Sequence, residues 1–510
     1  MGGPLSEAPD AVASVDGPAW STPGISKRTS RYPLAVEAPV LRMVSVLVPG
    51  ISTLSESALH FALYWALADF ASHHEYDAAA CQTLIRRAES ALAWASLLSP
   101  STGDPTGPGH LHGADTVRKL LADGEADRLS DVGAGTYSER ASGFWAQYKG
   151  PASTVGLVMM DKNALRVGQR RCPEAILDMF VPLVHIIADR PVAADDLSSI
   201  VPIAHGGPSA PFVDPLRQVM TASGAGEWTG DDQTRRATLR IFCRAVQLQP
   251  GQRDWRRIAY DGIAYGDRLS SDGIFQQEGA RAAAWRGLLL RHRFVGAWRL
   301  LWARLVDQVL DAAEPVRRDE LHDWIRGHMP EGQLTAFVSE LPPTVAAAGH
   351  PRPAEDDLGD RGELETALAT LLLGSQRLEE LDGESLAAFR GGRQAPRRAY
   401  LDPLWVGARV SDASRRTIRD FASMLVDDML AQSHRIALSK LEVTADGRIE
   451  LPTKLAEREG RYFALAAEGA ENIGFRAESF GSIARQLGIL SFDADGFAVT
   501  DVGRNVMGLP

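Results

Sequence analysis

The sequence predicts a mainly α-helical, multidomain chain with small β-hairpins. Three observations carry that expectation. Apolar residues recur at helical spacing, as in Leu59, Leu63, Ala66 and Phe70, or Leu290, Phe294, Trp298, Leu301 and Leu305. Short runs of strand-forming residues flank Asp161-Lys162-Asn163, Asp446-Gly447 and Asp495-Gly496, the chemistry of tight hairpin turns. Breaker-rich segments divide the rest, above all residues 342–362, with four prolines and a Glu-Asp-Asp cluster.

Taken in order, residues 1–31 hold Pro, Ser, Gly and Ala without an apolar core, and read as a disordered tail with no secretory signal. Residues 32–189 read as a helical domain: a strand-like run to Val48, a turn at Pro49-Gly50, and helices over 53–73, 78–98 and 116–121. The most apolar region, from Val44 to Phe70, contains Pro49, Glu56, His60 and Asp69. A membrane span wants ~20 residues nearly free of charge, so no membrane partner is expected. Residues 190–341 form a helical middle domain, with helices over 233–246, 279–313 and 318–328. Residues 342–362 are the linker. Residues 363–510 form a last helical domain, with a stripe of Leu364, Ala367, Leu368, Leu371 and Leu372 and a long helix over 413–441.

Charge and cysteine content narrow the function. The formal net charge of −11 means that any nucleic-acid contact must come from a local basic surface. Of 54 basic residues only six are lysine, which fits a GC-rich bacterial genome. Arginine forks also suit phosphates and carboxylates better than lysine does. Cys81, Cys172 and Cys243 are far apart, which argues against a disulfide framework or a cysteine zinc site and fits a cytoplasmic setting.

The last forty residues carry the most specific pattern. A short helix runs into Leu487-Gly488, the apolar pair Ile489-Leu490 follows, and two strands surround Asp495-Gly496. Helix, apolar plug and ribbon in that order predict a winged-helix-like module. Residues 138–170 repeat the order more faintly: Gly143-Phe144 answers Gly474-Phe475, Gly156-Leu157-Val158 answers Gly488-Ile489-Leu490, and Gly168 answers Gly503. In a DNA-binding winged helix the second helix enters the major groove and the wing touches phosphate. That assigns Ser482, Arg485 and Gln486 to the groove and Arg504 to the backbone. Asp493 and Asp495 at the wing tip oppose a phosphate grip and favour packing against protein.

The helix over 279–313 is basic and aromatic, and Arg286, Arg293 and Arg304 fall near one side of it. One reading is a phosphate-tracking surface with Trp285, Trp298 and Trp302 stacking on bases. The favoured reading is a core helix with buried tryptophans, because charge runs usually only solvate a face. Arg253-Asp254-Trp255-Arg256-Arg257 can line the same groove, but Asp231, Asp232, Asp254 and Asp261 neutralise it.

No catalytic constellation stands out. His110, His112 and Asp115 place three potential metal ligands in six residues, yet no other cluster completes a site, so no metal or cofactor is assigned. His322-Asp323 matches the doublet of phosphohydrolases without its distal partners. Glu442 and Glu450, near Lys440 and Lys454, leave room for a nuclease-like carboxylate pair. Gly-x-Ser-x-Gly, P-loop and dinucleotide motifs are absent.

The block Leu47-Val-Pro-Gly-Ile-Ser-Thr-Leu-Ser-Glu-Ser-Ala-Leu-His-Phe-Ala-Leu-Tyr-Trp65, with the later Gly143-Phe144 and Tyr148-Lys-Gly-Pro151, resembles a loosely defined group of uncharacterised bacterial proteins. Members share a Pro-Gly-Ile turn, an aromatic-rich helix and a Gly-Phe…Tyr-x-Gly-Pro block, and are often encoded near phage-defence genes. The resemblance covers about a quarter of the chain and implies a context, with no catalytic residue. The leading expectation is therefore a DNA-associated recognition or adaptor component of a bacterial defence or DNA-processing system, with duplex DNA and partner subunits as its ligands. The rivals are a protein interaction scaffold without DNA binding, and a metal-dependent hydrolase or nuclease.

Overall fold

The structure is a computed structural model that describes residues 24–25, 31–98, 111, 113–124, 143–344, 354–392, 399–443 and 447–510. Within them helices dominate and the strands form small two- and three-stranded sheets. The run before Pro49 is a helix, Ala38–Leu47, where a strand was expected. Pro39 sits in its first turn, where a missing N–H is harmless. Val40, Met43, Val44 and Leu47 recur at i, i+3, i+4 and i+7 and are buried, so packing of that stripe overrides the β preference of the valines. The next helix, Ala58–His73, is buried on nearly every face.

The central helix Gly279–Leu310 runs 32 residues and packs on Gly383–Phe389 and Glu363–Glu380. Its contact with the first of these is backbone-close. A Cβ on Gly287 would lie 2.0 Å from the Ser385 carbonyl oxygen.

Two hairpins follow short helices. Lys149–Thr154 leads to Val158–Asp161 paired antiparallel with Ala164–Val167 across Lys162 and Asn163, both left-handed. Ala477–Gln486 leads to Leu490–Asp493 paired with Gly496–Val499. Both helices end on left-handed glycines, Gly156 and Gly488. The next N–H then bonds back into the last turn: Leu157 to the Ala152 carbonyl at 3.0 Å, and Ile489 to that of Ala484 at 2.8 Å. The faint sequence repeat is thus a repeat of geometry. Gly168 and Gly503 serve close approach rather than chain reversal, since a Cβ there would lie 2.4 Å from the Gly156 carbonyl oxygen and 2.2 Å from that of Ile489.

Ile449–Leu451 pairs antiparallel with Glu442–Val443 and parallel with Gly24–Ile25 near the start of the chain. A further sheet joins Val316–Arg317, Arg461–Ala464 and Leu455–Arg458. One apolar core runs from Leu34 to Leu509. Hydrogen bonds cross the segments expected as separate domains: Arg299 to Glu37 at 2.7 Å, and Gln432 to the Leu34 carbonyl at 2.9 Å. The described end of segment 342–362 is packed, with Ala354, Glu355 and Leu358 buried. Among the described residues no helix is long and apolar enough to cross a membrane.

Candidate functional site

The helix Ala477–Gln486 turns its polar face onto the N-terminal part of the chain. Ser482 Oγ donates to the Glu56 carbonyl at 3.3 Å, and Gln486 Nε2 donates to the same oxygen at 2.7 Å. Gln486 Oε1 accepts from the Ala58 N–H at 2.9 Å. Ser57 gives the Ala58–His73 helix no side-chain cap, so Gln486 supplies one of its missing acceptors. This corrects the expectation that Ser482 and Gln486 face out into a DNA groove. Arg504 is also engaged locally, donating to the Val499 carbonyl at 2.9 Å and pairing with Asp501.

Arg485 remains half-buried near the hairpin, its guanidinium 5.8 Å from the centre of the Phe492 ring. Arg253 lies 5.2 Å from the same ring, and Phe492 is 40% exposed. The hairpin docks on the loop before Trp255, through Phe497 N–H to the Gln252 carbonyl at 3.0 Å and Arg253 to that of Ala494 at 2.6 Å. Sequence reasoning placed Arg253 in a patch with Arg257. The structure brings it instead to the C-terminal hairpin.

The arginines expected on one side of the central helix enter three environments. Arg286 is largely buried and donates to the Gly266 carbonyl, and burial lowers its pKa. Arg304 forks onto Glu363 at 2.7 and 2.9 Å. Trp285, Trp298 and Trp302 are buried, as the favoured reading of a core helix expects, and so form no stacking platform for bases. Arg293 alone of the three meets the second basic patch.

That meeting forms a polar cleft of about 470 Å³, walled by Arg256, Arg257, Tyr260, Arg293, Asp356 and Asn472. Asp254 caps the short helix Trp255–Ala259, accepting from the Arg256 and Arg257 N–H groups at 2.8 and 3.3 Å. A π-helical turn, Tyr260–Ala264, follows directly. It points Tyr260 at His292, with 2.5 Å between its hydroxyl and Nδ1. Nε2 of His292 lies 2.5 Å from the Ile473 carbonyl, which cannot donate, so Nε2 carries the proton. Nδ1 then accepts from Tyr260 and from Asn472 Nδ2 at 3.0 Å. Burial pushes the imidazole down to about 4, so it is neutral near pH 7.

Behind this wall Glu355 accepts both arms of Arg377, at 2.6 and 2.8 Å, and the Tyr265 hydroxyl at 2.6 Å. Burial alone would raise its pKa, but Arg377 holds it at about 2. Arg257 bonds Asp356 at 2.9 Å and lies 4.0 Å from Asp261, while Arg256 bonds Glu478 at 2.7 Å. Arg293 lies 4.0 Å over the Tyr260 ring and 3.8 Å from Asp356. Of the four acids expected to neutralise this patch only Asp261 approaches its guanidinium groups. Asp232 pairs with Arg170 and Arg235, and Asp254 caps backbone N–H groups. The closest partners, Asp356 and Glu478, come from elements that spacing alone does not bring there.

Of the metal candidates, His110 and His112 lie outside the described residues. Asp115 is exposed and pairs with Arg118 at 2.5 Å. Among the described residues no three His, Cys, Asp or Glu side chains are placed to share a metal ion. His322 bonds Asp427 at 2.7 Å, and Arg318 shares that carboxylate. Glu442 and Glu450 do face each other across their strands. However, Lys454 is turned to Glu468 at 3.4 Å, and Lys440 donates to the Arg31 carbonyl at 2.6 Å.

An apolar ledge is a feature that sequence reasoning missed. Val443 and Ile449 are opposite each other in their hairpin and both exposed, at 69% and 41%. Leu438 and Leu441, at the end of the helix Ile418–Ser439, are exposed nearby. The ledge continues into a groove of about 210 Å³ lined by Leu438, Leu451, Leu455, Tyr462 and Phe463. The hairpin signal at Asp446-Gly447 was readable, but which strand face stays uncovered depends on tertiary packing. No family model, curated protein or solved structure matches the chain.

Proposed function

We propose that this chain is an interaction scaffold or adaptor that docks a partner protein on the Leu438–Leu441–Val443–Ile449 ledge. The exposed cross-strand pair of Val443 and Ile449 carries the reading. Contiguous apolar surface costs free energy in water, and on a folded surface it marks an interaction site. The acidic net charge and the internal use of Ser482, Gln486 and Arg504 support a role that does not rest on DNA. The N-terminal resemblance implies that the partner belongs to a defence or DNA-processing assembly. Co-expression with the products of adjoining genes, followed by nuclease treatment and affinity purification, tests the reading. The wild-type chain should retain a partner that the V443D/I449D double variant loses. Equal retention by both sinks it.

A second reading keeps the winged-helix-like module and duplex DNA. Exposed Phe492, between the cations of Arg253 and Arg485, favours it, because an aromatic face beside guanidinium groups suits bases and backbone. A salt-titrated binding assay separates the two. This reading expects duplex affinity that falls steeply with salt, and a shallower slope when Arg253 and Arg485 become alanine. No binding at low salt ends it.

A further inference from the structure

The strongest unassigned feature is the cleft beside Tyr260. Its volume of about 470 Å³ lies in the range of small-ligand pockets. Most of the polar groups in its walls are already engaged. Asp254 caps its helix, His292 and Asn472 bond each other, and Glu355 is taken by Arg377 and Tyr265. The unspent capacity is cationic. Each guanidinium offers five N–H donors. Arg257 places one bond on Asp356 and Arg256 one on Glu478. Arg293 makes no hydrogen bond to any described residue, and its Nε is shut off from water without an acceptor. Its side chain is only 25% exposed and is held in place over the Tyr260 ring. A mostly buried guanidinium with unused donors costs free energy unless a ligand completes it. The π turn that presents Tyr260 is the kind of irregularity that collects at ligand sites.

We infer that this cleft binds a small phosphate ester, whose anion takes the donors of Arg257 and Arg293 in competition with Asp356. Two converging forks need more acceptor oxygens than one carboxylate presents, which selects phosphate. Ala297 and Leu300, one and two turns beyond Arg293 on the same helix, line the cleft with Ala367 and give the esterified part an apolar seat. Asp356 is a competitor in cis: it lies 2.9 Å from Arg257 and 3.8 Å from Arg293, close enough to screen both but bonded to only one.

Calorimetric titration with inorganic phosphate, pyrophosphate and a panel of nucleoside monophosphates, at constant ionic strength, tests this. Saturable binding is expected, tighter for an ester than for inorganic phosphate. Arg293→Gln should weaken it about tenfold or more, the scale of losing a charge-assisted hydrogen bond. Arg257→Gln, at a half-exposed position that tolerates change, should weaken it severalfold. Asp356→Asn should strengthen it, which a merely damaged fold cannot do. Non-saturable heats, or identical affinities in wild type, Arg257→Gln and Asp356→Asn, overturn the inference. V443D/I449D should leave phosphate binding intact, so failure here and failure of the docking ledge are separate results.

Discussion

At the residue scale, the buried charges decide the most. Glu355 sits between Arg377 and Tyr265 and bonds both. Replacing Arg377 by methionine would leave a carboxylate in the interior without its cation. Such losses cost about 3–5 kcal/mol, and a urea midpoint well below wild type is the expected result. Glu89 has the opposite character. It is buried, accepts from the Tyr64 hydroxyl at 2.6 Å and the Phe144 N–H at 2.7 Å, and burial raises its pKa to about 7. A raised folded value means that the folded form binds the proton more tightly than the unfolded form does. The group's contribution is therefore fully present below about 4.5 and is lost as pH rises through about 7. Glu355, held at about 2, contributes above 4.5 and loses its contribution as pH falls towards 2. Unfolding free energy measured between pH 4.5 and 8 should fall less steeply in Glu89→Gln than in wild type, and an unchanged slope would refute that assignment. The pairing of Glu355 with Arg377 was not readable in the sequence, because Glu355 lies in a segment whose prolines announced a linker.

At the scale of elements, local chemistry was legible and orientation was not. Asp161-Lys162-Asn163 announced its turn because two left-handed residues between strands are a short-range requirement. The helix over residues 58–73 showed itself through Leu59, Leu63, Ala66 and Phe70 at helical spacing. The inward face of Ala477–Gln486 was hidden, because its partners at Glu56 and Ala58 are more than 400 positions away. The central helix makes a testable claim about close packing. Gly287→Ala would drive a methyl group into the Ser385 carbonyl and separate two helices, a cost of about 1–3 kcal/mol. Gly230→Ala is the control: it begins the helix Gly230–Gln247 and nothing lies within 4 Å of an added Cβ. It should be neutral, or stabilising by up to about 1 kcal/mol through the unfolded chain. Thermal melts of the two variants should move apart, with Gly287→Ala the lower.

At the scale of the whole molecule, Leu34 and Leu509 belong to one apolar core, and the last helix, Asp501–Met507, is tied to the middle of the chain. Arg236 donates to the Val506 carbonyl at 2.9 Å and Arg240 to that of Met507 at 3.0 Å. Removing residues 475–510 would strip Phe475, Phe480, Ile483 and Ile489 from that core. The truncated chain should lose its cooperative calorimetric transition and become sensitive to protease throughout. A stable, sharply melting 1–474 fragment would show that the C-terminal unit is an appendage. The cleft was half legible at this scale: spacing pointed Arg256, Arg257 and Arg293 towards one groove, while Tyr260, His292 and Asn472 joined it only through the fold. The bond from Ala58 to Gln486 spans 428 positions. A ribosome adding ~5–20 residues per second needs roughly 20–90 s to cover that distance. The Ala58–His73 segment therefore emerges long before Gln486 is made to close its end. Nascent chains stalled before Gln486 should bind general chaperones more persistently than released ones.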